Sequence, residues 1–144
     1  MMTTTNKPNT AFWIIAVLAL LWNLMGLFQF FGVAFMLEAM VEALPEDQAT
    51  LYTSIPQWYI IVFGIAVFSG VLACITMLIR KKITVVLFLI SLLAVLVAQI
   101  YWIFATDVMD VIGPTAIAMP LIVIAIAIFL YFYSKGAAQK GWLR

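Results

Sequence analysis

The chain contains no histidine and only one cysteine, Cys74. The first absence removes the commonest general base and the commonest metal ligand together. The second rules out an intrachain disulfide and a paired-cysteine metal site. Charge is scarce as well: aspartate, glutamate, lysine and arginine make up 9% of the 144 residues, with a net charge of +1. That balance gives no reason to expect a nucleic-acid partner. No nucleophile stands beside a base, no glycine-rich loop suits a phosphate, and no carboxylates pair for acid–base work. The sequence therefore offers no catalytic residues, no metal ligands and no cofactor site, and an enzyme is the least supported class.

What the chain does have is apolar surface. Hydrophobic residues are 67% of the total and the mean hydropathy is +1.22, whereas soluble domains sit near ~45–50% apolar and ~25% charged. A soluble chain of this size has too little interior to hide so much apolar surface, so the lipid bilayer must be its solvent and first partner. Four apolar stretches, 11–35, 57–79, 83–104 and 115–133, hold no charged residue. Each is about as long as the ~20 helical residues that cross ~30 Å of hydrocarbon. None alternates as a barrel strand would. The expected fold is an all-α integral membrane protein, a single four-transmembrane-helix bundle. The first stretch follows Lys7 but far exceeds the ~7–15 apolar residues of a signal peptide, so it reads as the first span.

Charge segregates completely between the loops. Lys7, Arg80, Lys81, Lys82, Lys135, Lys140 and Arg144 fall in the two tails and the loop between spans two and three. Glu38, Glu42, Glu46, Asp47, Asp107 and Asp110 fall in the other two loops. Basic loops stay in the cytoplasm, so the expected topology is N-in/C-in. In the first outer loop Leu37, Met40, Val41 and Leu44 recur at helical spacing. With no breaker before them, they predict that span one continues as a helix beyond the membrane. Pro45, Glu46 and Asp47 predict the start of a second short helix, with proline and acids in its first turn. Ser54 and Pro56 restart the chain into span two, and Pro114 suits the first turn of span four.

Few polar side chains lie within the spans. Asn23 and Gln99, with Trp22 and Trp102 nearby, would either line a polar pocket for a neutral solute or hydrogen-bond to each other or to a backbone carbonyl and pin neighbouring helices. Span two carries small residues, Ala66, Gly70, Ala73 and Cys74, at a spacing that lets helix backbones approach closely. Their partner is either another span or a second subunit. Pro120 removes a backbone hydrogen bond inside span four and frees the Ala116 carbonyl, predicting a kink.

The residues Trp22-Asn23-x-x-Gly26, Leu44-Pro45-x-x-Gln48-x-x-Leu51-Tyr52-x-x-x-Pro56-x-Trp58, Ala66-Val67-Phe68-x-Gly70, Leu78-x-Arg80-Lys81-Lys82 and Ser91-Leu92 occur in that order. Together they resemble a family of small four-span bacterial membrane proteins that carry a sugar-transporter label, over about two thirds of the chain. The resemblance implies a carrier of a small neutral solute in the bacterial inner membrane, working as an oligomer. The family usually has glycine where this chain has Ser69 and Ala73, which implies slightly looser packing of span two. The absence of histidine and of any acid within a span adds that such a carrier would work without proton coupling. The rival expectation is a non-enzymatic structural subunit that binds other membrane proteins through its outer helical loop.

Overall fold

The computed structural model describes residues 7–106 and 108–143. Asp107 and Arg144, counted above among the loop charges, lie outside the described residues. Asn9 opens the first helix, its side chain accepting the Phe12 N–H at 2.9 Å. That bond satisfies a first-turn donor that has no partner within the helix. The helix it starts, α1, spans Thr10–Phe35.

Span one does not continue unbroken into the outer loop as its residue pattern predicts. It stops at Met36 (φ −127, ψ 32), and a separate helix α2 follows over Leu37–Glu42. Beyond that stop the Met40 sulfur packs over Gly32, 3.4 Å from the position a Cβ would take. The loop thus turns back onto the end of α1. As Pro45 and the acids after it imply, α3 runs Glu46–Thr53 with Pro45 ahead of it. Pro56 then precedes α4, Gln57–Leu78.

A tight turn joins α4 to α5, Ile83–Ala105. Arg80 adopts φ 61 there, and the Lys81 N–H reaches back to the Thr76 carbonyl at 2.9 Å. This is the left-handed helix ending that glycine usually provides, and a side chain in it costs about 1–2 kcal/mol. The same arginine donates its Nε–H to the Trp142 carbonyl at 2.9 Å, so the residue that ends α4 also anchors the segment after the last span. The Thr76 and Thr84 hydroxyls, 2.7 Å apart, tie the two helices just above the turn.

After α5 come a one-turn helix α6, Val108–Val111, a 3-10 turn at Pro114–Ile117, and α7, Ala118–Gln139. One expectation for span four changes. Its helix runs on through Gln139 instead of stopping at 133. Hydropathy falls at Ser134 and Lys135, but the backbone stop is Gly141 (φ 80), beyond which the Trp142 N–H bonds to the Ala137 carbonyl at 2.9 Å. Pro120 stands at the third residue of α7, where the span passes from 3-10 to α. The missing N–H therefore falls inside the span that begins at Pro114, where the 3-10 turn gives way to the α-helix.

Among the described residues there is no strand, and four segments are long and apolar enough to cross a bilayer: α1, α4, α5 and Pro114–Gln139. α1 packs on α4, α4 on α5 and α5 on α7, whereas α1 and α7 make little contact along their lengths. One end of the bundle, the tail end, gathers the start of α1, the α4–α5 turn and the C-terminal segment. Phe12, Met77, Phe88, Leu130 and Leu143 are all buried in one cluster there, and the Phe12 ring meets Trp142 edge-on at 5.8 Å. The opposite, loop end carries α2, α3 and α6. The described charges divide in the same way, acids at the loop end and bases at the tail end.

The small-residue face of α4 is an internal contact. Ala66, Gly70, Ala73 and Cys74 are all buried. A Cβ at Gly70 would overlap the Asn23 amide of α1 and come within 3.3 Å of the Ser91 hydroxyl of α5.

Candidate functional site

Between the four spans lies a cavity of about 610 Å³, within the ~300–1,000 Å³ typical of small-molecule sites. Each span contributes one stripe. Trp22, Gly26, Gln29 and Val33 of α1 recur at intervals of four, three and four residues, which places them along a single helix face. Ser91, Val95, Ala98 and Trp102 do the same on α5, with Gln99 beside them, and Tyr59, Phe63 and Ala66 on α4. Met119, Pro120, Val123, Ile126 and Leu130 supply the wall from the fourth span, and Tyr52 of α3 closes over the loop end.

The four sequence candidates Trp22, Asn23, Gln99 and Trp102 all border this cavity, and Pro120 does too. Asn23 and Gln99 do not pair with each other. The Asn23 amide instead donates to the Ala19 carbonyl at 2.8 Å and lies 3.5 Å from Cys74 Sγ. It therefore holds α1 against α4 at the point where Gly70 leaves space for it. Ser91 makes the matching link from α5, its hydroxyl donating to the Ala66 carbonyl at 2.8 Å. Gln99 and Gln29 have no hydrogen-bond partner among the described residues, and both border the cavity. Thr106, its hydroxyl donating to the Trp102 carbonyl, caps the end of α5.

Sequence reading did not place Gln29, Tyr52, Tyr59 or Phe63 among the site candidates. With Trp102 the last three form an aromatic wall: ring centres of Tyr52 and Trp102 are 5.6 Å apart, Tyr59 and Trp102 6.4 Å, and Tyr59 and Phe63 6.2 Å. The pointer to Gln29 was available in the helical spacing from Trp22. Tyr52 enters only through the fold of the α2–α3 loop, which no local pattern reveals.

No charged side chain of the described residues lines the cavity. Burial pushes the Tyr52 phenol above its ordinary pKa of 10.0, so it stays neutral well past physiological pH. What the site can do is hold an uncharged molecule by stacking on aromatic faces and by hydrogen bonds to free amides.

Four apolar helices of spanning length, packed with a polar-flecked interior, define a multi-pass helical membrane protein. No family model, curated protein or solved structure matches the chain, so the resemblance to the small four-span bacterial proteins rests on the motif residues alone.

Proposed function

We propose that this protein is an uncoupled carrier of a small neutral solute. One observation carries the reading: all four spans line a cavity that holds no charged side chain of the described residues and presents the unpaired amides of Gln29 and Gln99. A charged ligand would meet no counter-charge there, and its desolvation would go uncompensated. A proton-coupled carrier needs a titrating group in its transport path, and this cavity has no aspartate, glutamate or histidine among its described walls. The basic tail end fits the cytoplasmic side and the acidic loop end the outer side of a bacterial inner membrane, with both termini cytoplasmic. The motif resemblance adds a sugar-like solute as the first class to try.

The test is solute flux into liposomes containing the purified protein, at zero membrane potential. Flux of a neutral solute should exceed that of protein-free liposomes and should not change when a pH gradient is imposed. Uphill accumulation driven by that gradient would overturn the uncoupled reading. A second reading, a non-enzymatic structural subunit of a membrane complex, has one observation in its favour. Only 17% of the most apolar stretch of α1 and 11% of that ending in α7 are buried within the bundle. Flux equal to that of empty liposomes for every neutral solute would move the case to it.

A further inference from the structure

We propose that the cavity takes an uncharged, hydroxyl-headed, single-chain amphiphile that enters sideways from the bilayer between α1 and α7. The proposal rests on the neutral-solute reading of the same cavity and narrows it to a substrate class. Three features point the same way.

The cavity changes character along its length. At the loop end Gln29, Gln99, Tyr52, Tyr59 and Trp102 bring amide, phenol and indole groups to its wall. At the tail end the lining is Phe88, Ile126, Ala127 and Leu130, with no polar side chain among them. Asn23 and Ser91 lie between, but Asn23 already donates to the Ala19 carbonyl of its own helix and meets Cys74 of α4, and Ser91 donates to the Ala66 carbonyl. A free sugar filling this space would press hydroxyls against Phe88 and Leu130, and each unpaired hydroxyl would carry a desolvation cost. A head group at the loop end with an alkyl chain below it leaves neither half unmatched.

The tail end is shut. Phe88 and Leu130 form the floor of the cavity and belong to the same buried cluster as Phe12 and Leu143, so a chain entering there would have to unpack the most buried part of the molecule.

The side is open. α1 and α7 both line the cavity yet make little contact with each other along the spans. Met25 of α1 and Met119 of α7, which belong to the lining, are 66% and 55% exposed. Their unbranched side chains can adapt to what passes between the two helices. A slit edged by apolar residues at membrane depth communicates with lipid, which selects molecules already dissolved there.

The experiment uses the full chain in phosphatidylcholine nanodiscs and a monoacylglycerol probe carrying a diazirine at the end of its chain. After illumination, cross-linked peptides are mapped by mass spectrometry. Cross-links are expected at Phe88, Ile126 and Leu130. Excess monooleoylglycerol should suppress them at least five-fold, while glycerol, glucose, oleate and lysophosphatidylcholine leave them unchanged. Ala127→Trp and, from another helix, Val95→Phe should each reduce them at least five-fold in protein whose melting curve is intact. Cross-links confined to outward residues such as Phe28, Leu121 and Phe132 would overturn the proposal, whatever the variants do. Competition by glucose as strong as by monooleoylglycerol would overturn the amphiphile but leave the neutral-solute reading standing. If no neutral compound competes, both fall.

Discussion

The spans α1 and α4 have similar mean hydropathies, 2.2 and 2.5, yet they occupy opposite situations in the molecule. In α4, 44% of the most apolar stretch is buried inside the bundle and in α5 39%, against 17% in α1 and 11% in the span that ends in α7. Lipid satisfies an apolar side chain as well as another helix does. Hydropathy therefore records that a segment is in the membrane and is silent on whether it faces protein. In the central pair several small and hydroxylated residues are buried on the faces turned into the bundle. Ala66, Ser69, Gly70, Ala73 and Cys74 on α4 and Ser91, Ala94 and Ala98 on α5 are all buried, and Ser91 meets Ala66 and the space beside Gly70. The flanking spans carry Phe28, Leu18, Leu121 and Phe132 on their outer faces, each more than half exposed to where lipid would lie.

If that contrast is right, the largest loss follows Gly70→Leu. The added side chain must displace the Asn23 amide and crowd Ser91, and overpacking at so tight a contact costs about 3 kcal/mol. Thermal unfolding in detergent micelles should show it; an unchanged midpoint would mean that α4 is not the centre of the bundle. Next comes Ser91→Ala, which deletes the hydroxyl bond from α5 to the Ala66 carbonyl. Interhelical hydrogen bonds of this kind are worth about 0.6–1.7 kcal/mol. The loss should appear in the same assay and should not add fully to Gly70→Leu, because the two residues touch one contact.

Arg80 sharpens the comparison at the tail end. Arg80→Ala removes the bond to the Trp142 carbonyl while keeping a side chain at φ 61, and should destabilise by about 1 kcal/mol. Arg80→Gly should cost less, since glycine takes that backbone conformation freely. The reverse order would show that the turn is not strained. The smallest effect is expected at Leu93→Ala, on the exposed side of α5. It should shift stability by no more than about 0.5 kcal/mol, as surface changes do. A larger loss would place a partner helix on that face.

Most of the architecture was legible because its determinants are local. Apolar length located the four helices, and Pro45, Pro56 and Pro114 marked helix starts through backbone chemistry that no neighbour can alter. Breaks outside the hydropathy pattern were not legible: α1 ends at Met36, with Met40 packed over Gly32, and α7 outlasts its apolar run, with the stop at Gly141. The candidate site was half visible. Polar residues in apolar helices drew attention to Asn23 and Gln99, but their partners depend on which helices pack together. Asn23 met Gly70 and Cys74 of span two rather than Gln99 of span three, which lies nearer the loop end of its helix. Tyr52 could be assigned to the site only once the α2–α3 loop was placed over the bundle.

The packing of Phe12 against Trp142, with little contact between α1 and α7 above it, ties the first span to the last at its foot, while Asn23 and Phe30 hold it to α4 higher up. At 1.5 Å of rise per residue, Met25 stands about 20 Å from Phe12 and Phe35 about 35 Å. A tilt of about 5° between α1 and α7 around that foot would then carry Met25 roughly 1.7 Å and Phe35 roughly 3 Å, using the same rise. Small angular play at the closed end is thus magnified along the gap, and the widest change in aperture falls at the end where Gln29 and the aromatic wall stand.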